Sequence, residues 1–364
     1  MQLTMAVLAG DGIGPEITRE GLKVLDAVAD VFGHSFTCHE APFGAGAYFT
    51  CGSPFPAETI RVCDEADVII KGPVGLSVEK METIPLDSRP EKGAILPLRK
   101  RYDTFANFRP VYLPRELAVF SPIREEVIGD GVDILMIREL VGGIYFGDKT
   151  EAHETNNEYA ADRCVYTRHE VERIARVAFE EAARKKMPLT NVHKANVLAS
   201  SRFWNAVVED VKKEFPGVVY RSVLVDNAAF QLVKNPTRFN GVMLLENMQG
   251  DILTDQAGGI LGSLGMMPSA CIGPAKSYVE PAHGSAPDIA GRNIANPYSM
   301  IGSVALMLDR CFGLEEEGRV IFNAMTRLFR DGWRTVDLAD RTTDKGKILS
   351  TGDFGDRVAA SLRH

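Results

Sequence analysis

Cysteine is scarce in this chain of 364 residues, and its six cysteines are scattered without a C-x-x-C pair. Scattered cysteines in a long chain favour reduced thiols, and no nearby histidine pattern supports a catalytic one. The N-terminus also lacks a basic segment before its first apolar residues, and Asp11 interrupts the apolar run soon afterwards. We therefore expect no signal peptide and a cytoplasmic protein.

The chain has no apolar run suited to a membrane span. The longest uncharged stretch, residues 256–275, is rich in glycine and serine and contains Pro268 and Pro274. We expect this stretch to be packed structure rather than a membrane segment. Basic tracts are missing too, and the formal net charge of -8 argues against nucleic acid as a main partner.

Linkers, internal repeats and low-complexity segments are also absent, so composition does not mark domain boundaries. Hydrophobic residues make up 45% of the chain and charged residues 25%, and the length allows two domains. Short apolar runs alternate with apolar residues at helical spacing, which predicts the α/β class. The predicted strands are Thr4–Ala9, Val68–Ile70, Val132–Ile137 and Val223–Val225, and the predicted helices are residues 15–32, 57–66, 168–186, 201–214, 298–312 and 315–331.

Two glycine-rich turns follow predicted strands. Residues 10–15 (GDGIGP) lie between a strand and a helix, but Pro15 stands where G-x-G-x-x-G requires its third glycine. Asp11 would also place a negative charge beside a pyrophosphate. We therefore interpret this segment as a tight turn. Residues 72–75 (GPVG) form a second turn that by itself predicts no function.

Three aspartates form the most informative acidic pattern. Asp251 and Asp255 lie four residues apart, which places both carboxylates on one face of a helix. Asp226 follows the predicted strand Val223–Val225. Three carboxylates brought together repel one another unless a cation holds them, and oxygen ligands suit Mg²⁺ or Mn²⁺. The structural alternative is that Asp251 caps a helix and Asp255 faces solvent.

Several segments, taken in order, fit one pattern. They are GDGIGPE at 10–16, LRK at 98–100, FANFRP at 105–110, RELVGGIYFG at 138–147, HKANV at 193–197, VDN at 225–227, EN at 246–247, GDILTD at 250–255, EPAHGSAPDIAG at 280–291 and NP at 296–297. Together they resemble the β-decarboxylating dehydrogenase family, which contains isopropylmalate, isocitrate, homoisocitrate, tartrate and D-malate dehydrogenases. The resemblance extends from residue 4 to about residue 340.

The resemblance implies a two-domain α/β fold that is not of the Rossmann type, with the active site in the cleft between the domains. Residues 1–109 and 261–364 would form the cofactor domain. Residues 110–260 would bind substrate and metal and would form most of a homodimer interface. The active sites of the homodimer would be shared, because Asp226 would come from the partner subunit.

Three arginines match the positions that bind substrate in this family. Arg99, Arg109 and Arg138 would bind the carboxylates of a 2-hydroxy-3-carboxy acid, since a guanidinium donates two parallel hydrogen bonds. Taken singly, each arginine would more simply be a surface or ion-pairing residue.

The resemblance also implies the catalytic and metal-binding residues. Lys194 would be the general base toward the C2 hydroxyl, and Tyr145 would protonate the enolate carbon. Tyr145 taken alone could equally be an interface residue. Asp226, Asp251 and Asp255 would bind Mg²⁺ or Mn²⁺, and Asp226 would also contact the substrate.

Residues 283–288 (HGSAPD) resemble the family's adenosine-binding loop. Asp288 would accept hydrogen bonds from the ribose and repel a 2′-phosphate, and Ile289 is apolar as in NAD-dependent members, so NAD is expected. The alternatives are an ordinary polar turn or a nucleophilic Ser285, although G-x-S-x-G is absent. The residues implied in cofactor binding are Glu280, His283, Gly284, Ser285, Ala286, Pro287, Asp288, Ile289 and Asn296.

Apolar residues lie where the C3 substituent of the substrate should be recognised. Ile95 and Leu96 precede Arg99, and Val197 follows Lys194. They favour an isopropyl group over the extra carboxylate of isocitrate. The expected reaction is NAD-dependent oxidative decarboxylation of (2R,3S)-3-isopropylmalate to 4-methyl-2-oxopentanoate and CO₂, in leucine biosynthesis. D-malate, tartrate and homoisocitrate are the alternative substrates within the family.

Two positions depart from the family's usual pattern. The first is the segment 71–76, which begins with Lys71, is closer to isocitrate dehydrogenases and is expected near the nicotinamide. The second is Met248-Gln249 before Gly250.

Two other classes of function explain the sequence less well. A catalytically silent relative would not need the retained catalytic residues, and a metal-dependent hydrolase would not explain the arginines or the adenosine-like loop.

Overall fold

The computed structural model describes residues 1–363. Its strands in chain order are β1 Gln2–Leu8, β2 Ser35–Glu40, β3 Val68–Lys71, β4 Ala106–Pro114, β5 Gly131–Glu139, β6 Lys149–Thr150, β7 Ala161–Asp162, β8 Leu189–His193, β9 Tyr220–Leu224, β10 Gly241–Leu245, β11 Pro268–Ile272, β12 Ser277–Pro281, β13 Arg334–Thr335 and β14 Ile348–Leu349. Its α-helices are α1 Gly14–Phe32, α2 Ala45–Cys51, α3 Ala57–Glu65, α4 Val78–Glu82, α5 Leu96–Tyr102, α6 Glu125–Ile128, α7 Arg168–Lys185, α8 Ala199–Lys212, α9 Val225–Lys234, α10 Asn247–Gly258, α11 Tyr298–Phe312, α12 Glu315–Arg330 and α13 Thr351–Leu362. Within residues 1–363, no helix combines the length and the apolar character that crossing a membrane requires.

The chain divides into two compact units, residues 1–102 with 262–364 and residues 103–261. The sequence predicts boundaries after residues 109 and 260, and the roles that it gives to the two domains stay predictions. The α/β class is confirmed, because strands and helices alternate along the chain.

The first unit, residues 1–102 with 262–364, contains strands in the order β2-β1-β3-β12-β11. Strand β1 is parallel to both β2 and β3, β12 is parallel to β3, and β11 is antiparallel to β12. All four residues of β3 are buried, as expected of a parallel strand covered on both faces. Pro15 lies in the first turn of α1, and Gly33 ends the helix in the left-handed conformation.

The second unit, residues 103–261, contains strands in the order β4-β5-β10-β8-β9. Strands β5, β10, β8 and β9 are parallel to their neighbours, and β4 is antiparallel to β5. Thr167 and Glu170 form a capping box at the start of α7. Trp204 of α8 is buried, and its indole donates a hydrogen bond to Asn191 of β8, which fixes this helix on the sheet.

Parallel strands place their carboxyl ends at one edge of a sheet, where α/β proteins bind ligands. In the first unit, β1, β3 and β12 lead into the loops that contain residues 10–14, 72–75 and 283–289. In the second unit, β5, β10, β8 and β9 lead into segments that carry most of the predicted catalytic side chains. Each unit therefore has one edge on which its predicted site residues are gathered.

The structure changes two local predictions. Strand β9 ends at Leu224 and α9 begins at Val225, so Asp226 lies in the first turn of a helix and not at the end of a strand. Helix α8 spans Ala199–Lys212 instead of the predicted 201–214, and Lys194 lies in the turn before it. The stretch 256–275 is packed structure as predicted, since it contains the largely buried strand β11.

Two buried carboxyl groups lie in the second unit. Glu139 ends β5, and Glu246 lies between β10 and α10. Burial raises the pKa of Glu139 to about 7, although the amides of Val141 and Gly142 oppose the shift. Burial likewise raises the pKa of Glu246 to about 7, against an opposing hydrogen bond with Gln249. Folding therefore favours the protonated form of both groups.

Stability should consequently fall as the pH rises. The stabilisation is fully present below the ordinary glutamate pKa of 4.5 and is lost as the pH rises through the folded value of about 7. Glu246→Gln should raise the free energy of unfolding at pH 8 by about 1–3 kcal/mol and leave it little changed at pH 5. Urea unfolding between pH 5 and 8 measures the difference.

The control for this experiment is Glu180→Gln, which replaces an exposed glutamate on α7. It should follow the wild-type pH profile. An unchanged slope between pH 5 and 8 in Glu246→Gln would show that Glu246 does not titrate on unfolding.

Candidate active site

The carboxyl edge of the second unit gathers residues from four parallel strands. Arg138 lies near the end of β5, and Asn247 begins α10 directly after β10. Lys194 follows β8, and Asp226 lies in the first turn of α9, after β9. Residues distant in sequence therefore come to one edge because the strands that precede them are parallel neighbours.

Asp251 is hydrogen-bonded both to Arg138, which is predicted to bind the substrate, and to Tyr145, the predicted proton donor. Arg138 Nη1 donates to Asp251 Oδ1 at 2.5 Å, and the Tyr145 hydroxyl donates to Asp251 Oδ2 at 2.9 Å. The Arg138 guanidinium lies 6.0 Å from the centre of the Tyr145 ring. Arg138 is 1% exposed, whereas the Asp251 side chain is 41% exposed. The buried cation thus holds a carboxylate that is still open to a ligand.

Asp255 lies one turn further along α10, beside a second predicted substrate arginine. Arg109 Nη1 lies 3.5 Å from Asp255 Oδ1 and donates to Thr254 Oγ1 at 2.6 Å, while Arg109 Nε donates to Asn107 at 2.8 Å. Burial raises the pKa of Asp255, the charge of Arg109 opposes this, and the charge of Asp251 adds to it. The two carboxylates on α10 therefore repel each other, as the sequence predicts.

Lys194 and Asp226 form a separate pair at the same edge. Lys194 Nζ donates to Asp226 Oδ1 at 2.7 Å, and this hydrogen bond lowers the pKa of Asp226. The Asp226 side chain is 62% exposed. The predicted base and one predicted metal ligand are thus neighbours on the surface of this chain.

The donor chemistry of Asp251 and Asp255 fits a divalent cation. Both are hard oxygen donors on one helix face, both remain partly open to solvent, and their mutual repulsion would be relieved by positive charge. Within residues 1–363, no three histidine, cysteine, aspartate or glutamate side chains cluster closely enough to hold a metal. The assignment of Asp226 to a site shared with a partner stays a prediction.

Asn247 is a contact residue to which the sequence assigned no role. Its Oδ1 accepts from Arg138 Nη2 at 2.8 Å and Nε at 3.2 Å, and its Nδ2 donates to the Gly142 carbonyl at 3.0 Å. Its backbone N–H donates to the Tyr166 hydroxyl at 2.9 Å. The buried amide orients Arg138 and the loop that leads to Tyr145. The available signal was the polar pair Glu246-Asn247 that follows the apolar strand β10.

Arg99 lies in the first unit within a buried charged cluster. Its Nε donates to the Tyr278 hydroxyl at 3.1 Å, and its Nη2 lies 3.8 Å from Glu280 Oε1. Glu280 Oε2 lies 2.6 Å from Lys71 Nζ, so this carboxylate compensates two buried cations. Arg99, like Arg109 and Arg138, is buried and paired, which excludes the surface alternative for all three.

The predicted cofactor loop contains a buried acceptor without a partner in the chain. His283 Nδ1 donates to the Gly284 carbonyl at 2.8 Å, which leaves Nε2 as the acceptor nitrogen. No group within residues 1–363 bonds to the buried Nε2. Burial lowers the pKa of His283 and keeps its ring neutral. An unpartnered buried acceptor suits a donor group on a bound nucleotide, so this loop fits the predicted cofactor.

The other predicted cofactor residues differ in exposure. Asp288 is exposed and Ile289 is half-buried, while Ala286 has a φ of 39°, in the left-handed region that favours glycine. Asn296 is buried, donates to Asp337 at 3.1 Å and accepts from the Tyr298 amide at 3.0 Å. Gly284 and Pro287 are exposed, Ser285 is buried, and all lie in the same loop.

The three apolar residues predicted to read the substrate side chain lie on different elements. Ile95 ends the π-helical turn Glu91–Ile95, and Leu96 begins α5, the helix that carries Arg99. Both are half-buried, and Val197 is 63% exposed in the turn after β8. Their common role in one pocket stays a prediction.

Comparison with known proteins identifies the family. The model of the isocitrate/isopropylmalate dehydrogenase family matches residues 4–358. The chain belongs to this family. A 3-isopropylmalate dehydrogenase of Halalkalibacterium halodurans is 48% identical, and the match covers 93% of each chain. A 3-isopropylmalate dehydrogenase of Thermotoga maritima is 45% identical, and that match covers 99% of each chain.

Solved structures of the family share this fold. An isocitrate dehydrogenase from Methylococcus capsulatus has a TM-score of 0.86 at 30% identity, with 100% of both chains covered. A beta-decarboxylating dehydrogenase from Thermococcus kodakarensis has a TM-score of 0.77 at 33% identity, with 99% of this chain and 96% of that chain covered. The predicted family, dehydrogenase class and family fold are confirmed.

Metal binding can be tested without an activity assay. MnCl₂ should stabilise the wild-type protein by about 2.7 kcal/mol at a concentration near 100 Kd, because a ligand that binds only the folded state adds this much. Asp251→Asn should remove most of that stabilisation, and EDTA should reverse it in the wild type. Thermal unfolding with and without MnCl₂ measures the shift.

Asp130→Asn is the matched control, since Asp130 is a fully exposed aspartate of the same unit. It should keep the wild-type response to MnCl₂. Equal metal-induced shifts in Asp251→Asn and in the wild type would place the cation elsewhere.

Proposed function

We propose that this protein oxidises and decarboxylates (2R,3S)-3-isopropylmalate with NAD⁺, giving 4-methyl-2-oxopentanoate, CO₂ and NADH in leucine biosynthesis. The observation that carries the proposal is the arrangement around α10, where Asp251 is bonded to both Arg138 and Tyr145. The relatives named 3-isopropylmalate dehydrogenase support the choice of substrate. In this proposal residues 1–102 and 262–364 bind the cofactor, and residues 103–261 bind substrate and metal.

The substrate carboxylates are bound by Arg99, Arg109 and Arg138. The guanidinium groups are buried and held by Tyr278, by Thr254 and by Asn247, which fixes their direction before substrate arrives. A buried guanidinium suits a carboxylate, because it can donate two parallel hydrogen bonds to the two oxygens.

Two side chains move protons. Lys194 accepts the C2 hydroxyl proton, and Tyr145 delivers a proton to the enolate carbon after CO₂ leaves. When bound, Mg²⁺ or Mn²⁺ supplies positive charge that favours loss of the hydroxyl proton and stabilises the enolate, and NAD⁺ supplies the hydride acceptor. Asp251 and Asp255 would hold the ion together with Asp226 of the partner subunit.

NAD⁺ rather than NADP⁺ is the proposed cofactor. The exposed carboxylate of Asp288 accepts hydrogen bonds from the ribose hydroxyls and repels a 2′-phosphate. The buried acceptor nitrogen of His283 supports nucleotide binding at the same loop.

Apolar side chains of the protein contact the C3 substituent of the substrate. Ile95, Leu96 and Val197 suit an isopropyl group and offer no cation to the third carboxylate of isocitrate. Burial of an isopropyl group contributes about 2 kcal/mol, which separates it from malate by only tens-fold. Slow side activity on D-malate is therefore expected.

We further propose a cytoplasmic homodimer with shared active sites. Helices α9 and α10 are neighbours, since Gln256 donates to the Ala229 carbonyl at 2.6 Å. They expose Phe230, Val233 and Ile252 to 56%, 59% and 60%. Large exposed apolar side chains beside Asp226 favour a self-complementary contact between two copies of the chain.

Substrate choice is tested by NADH production on 3-isopropylmalate, isocitrate, D-malate and tartrate. Each substrate is assayed with Mg²⁺ or EDTA, and NAD⁺ is compared with NADP⁺. We expect the highest kcat/KM with 3-isopropylmalate, Mg²⁺ and NAD⁺. A higher kcat/KM with D-malate or tartrate would refute the substrate assignment, and full activity in EDTA would refute the metal.

Tyr145→Phe and Lys194→Met should each lower kcat by about 100-fold or more, because each removes a group that transfers a proton. Circular dichroism should show an unchanged fold. Near-normal turnover in either variant would remove that residue from the mechanism.

Mixing the two inactive variants tests the shared site. If Lys194 and Tyr145 of one active site come from different subunits, random mixed dimers should recover about a quarter of wild-type activity. The control is mixing either variant with itself after the same dissociation step. No recovery would count against a shared site.

A further inference from the structure

Asp11 connects segments that are distant in the sequence of the first unit. It lies in the turn after β1 and is only 5% exposed. Its carboxylate accepts three backbone N–H groups at 2.8 Å each, from Ala45, Gly46 and Gly75. A carboxylate buried against three amides is fully engaged with the backbone and does not face outward.

Two of these amides belong to the first turn of α2. A helix leaves its first N–H groups without partners, and the residue before the helix usually supplies a capping side chain. Here that residue is Gly44, with a φ of 97° and no side chain. A Cβ at Gly44 would lie 2.5 Å from Asp11 Oδ2, so glycine is required for the aspartate to cap α2 from a different loop.

The third amide belongs to the turn after β3. Gly75 N donates to Asp11 Oδ2, and the Asp11 amide donates to the Pro73 carbonyl at 2.8 Å. Two hydrogen bonds, one donated by each segment, therefore join residues 72–75 to the turn that contains Asp11. A Cβ at Gly10 would meet the Pro73 carbonyl oxygen at 2.1 Å, which explains the first glycine of GDGIGP.

The same turn also contacts the predicted adenosine loop. The Ile13 amide donates to the Ser285 carbonyl at 2.8 Å. A Cβ at Gly12 would lie 2.0 Å from that oxygen, so the second glycine permits this close approach. The turn at 10–14 thus contacts the loops that follow both β3 and β12, which are neighbouring parallel strands.

We propose that Asp11 is a positioning residue that fixes the turn at 10–14 against residues 72–75 and, through the Ile13 amide of that turn, against residues 283–289, in the arrangement that binds NAD. This rests on the proposed function, with 283–289 at the adenosine, and on the expectation from the sequence that residues 71–76 lie near the nicotinamide. The GDGIGP turn contacts no pyrophosphate in this proposal. Its negative charge is turned inward onto backbone amides, and its glycines allow the neighbouring loops to approach.

Asp11→Asn and Asp11→Ala test the proposal in the full-length protein. An asparagine oxygen at the Oδ2 position can still accept from the Ala45 and Gly75 amides, but the NH₂ group then faces the Gly46 amide and that bond is lost. Asp11→Asn should therefore have a smaller effect than Asp11→Ala. Residues that orient metal ligands typically change affinity by about 10- to 100-fold when lost, and we expect the lower end of that range for a residue that orients backbone loops. We expect NADH, titrated by its fluorescence, to bind about 10-fold more weakly to Asp11→Asn and still more weakly to Asp11→Ala.

The kinetic pattern separates positioning from general damage. The KM for NAD⁺ should rise in Asp11→Asn, while the KM for 3-isopropylmalate and the kcat at saturating NAD⁺ stay near wild type. The matched control is Asp67→Asn, because Asp67 also accepts a backbone amide in this unit, from Thr4 at 2.7 Å, but contacts neither cofactor loop. It should leave NADH affinity unchanged.

Hydrogen exchange on the wild-type protein supplies a test that needs no variant to fold. NADH should slow exchange of the Gly75 amide and leave the Thr4 amide unaffected. Unchanged NADH affinity in Asp11→Asn, equal rises in both KM values, or no protection of Gly75 by NADH would each overturn the proposal. A wild-type protein that binds no NADH would instead refute the proposed function, and this inference with it.

Discussion

The candidate active site depends on carboxylates that are paired with buried arginines and that accept hydrogen bonds from hydroxyl groups. Arg138 is almost completely buried, and a buried guanidinium is tolerated only where acceptors surround it. Asp251 and Asn247 provide those acceptors from one helix, α10. The position of α10 against the end of β5 is therefore required by charge compensation. The same helix presents Asp255 one turn later, where it meets Arg109.

The parallel sheet supplies the second constraint. Because β5, β10, β8 and β9 run side by side in one direction, the segments after them share an edge. The first unit repeats this with β1, β3 and β12, whose following turns are joined by Asp11 and Ile13. Strand β10 is wholly apolar and buried, whereas β9 is largely exposed and β8 contains the buried polar residues Thr190 and Asn191. Polar groups therefore occur within these strands as well as at their ends.

Local pattern was enough to predict the α/β class, the helices α1, α3, α7, α8, α11 and α12 and the common face of Asp251 and Asp255, because these depend on periods of two to four residues. The contacts of Asn247 and Thr254 with the arginines could not be predicted, since they join residues more than a hundred positions apart. Asp226 was placed at the end of a strand because Val223–Val225 is apolar, but α9 begins inside that run, at Val225. The role of Asp11 also escaped prediction, since its partners come from other loops.

Lys71 departs from the family's usual pattern, and its contacts show what the lysine does in this protein. Its ammonium group is buried, lies 2.6 Å from Glu280 and donates to the Gly72 carbonyl at 3.1 Å. Glu280 is in turn the carboxylate nearest to Arg99 in the buried cluster, so Lys71 and Arg99 share one counter-charge. An apolar residue at position 71 would remove a cation that lies 2.6 Å from this buried carboxylate. The lysine therefore belongs to the charge balance around Glu280 and Arg99, and is distinct from the apolar residues Ile95 and Leu96 that the substrate assignment uses.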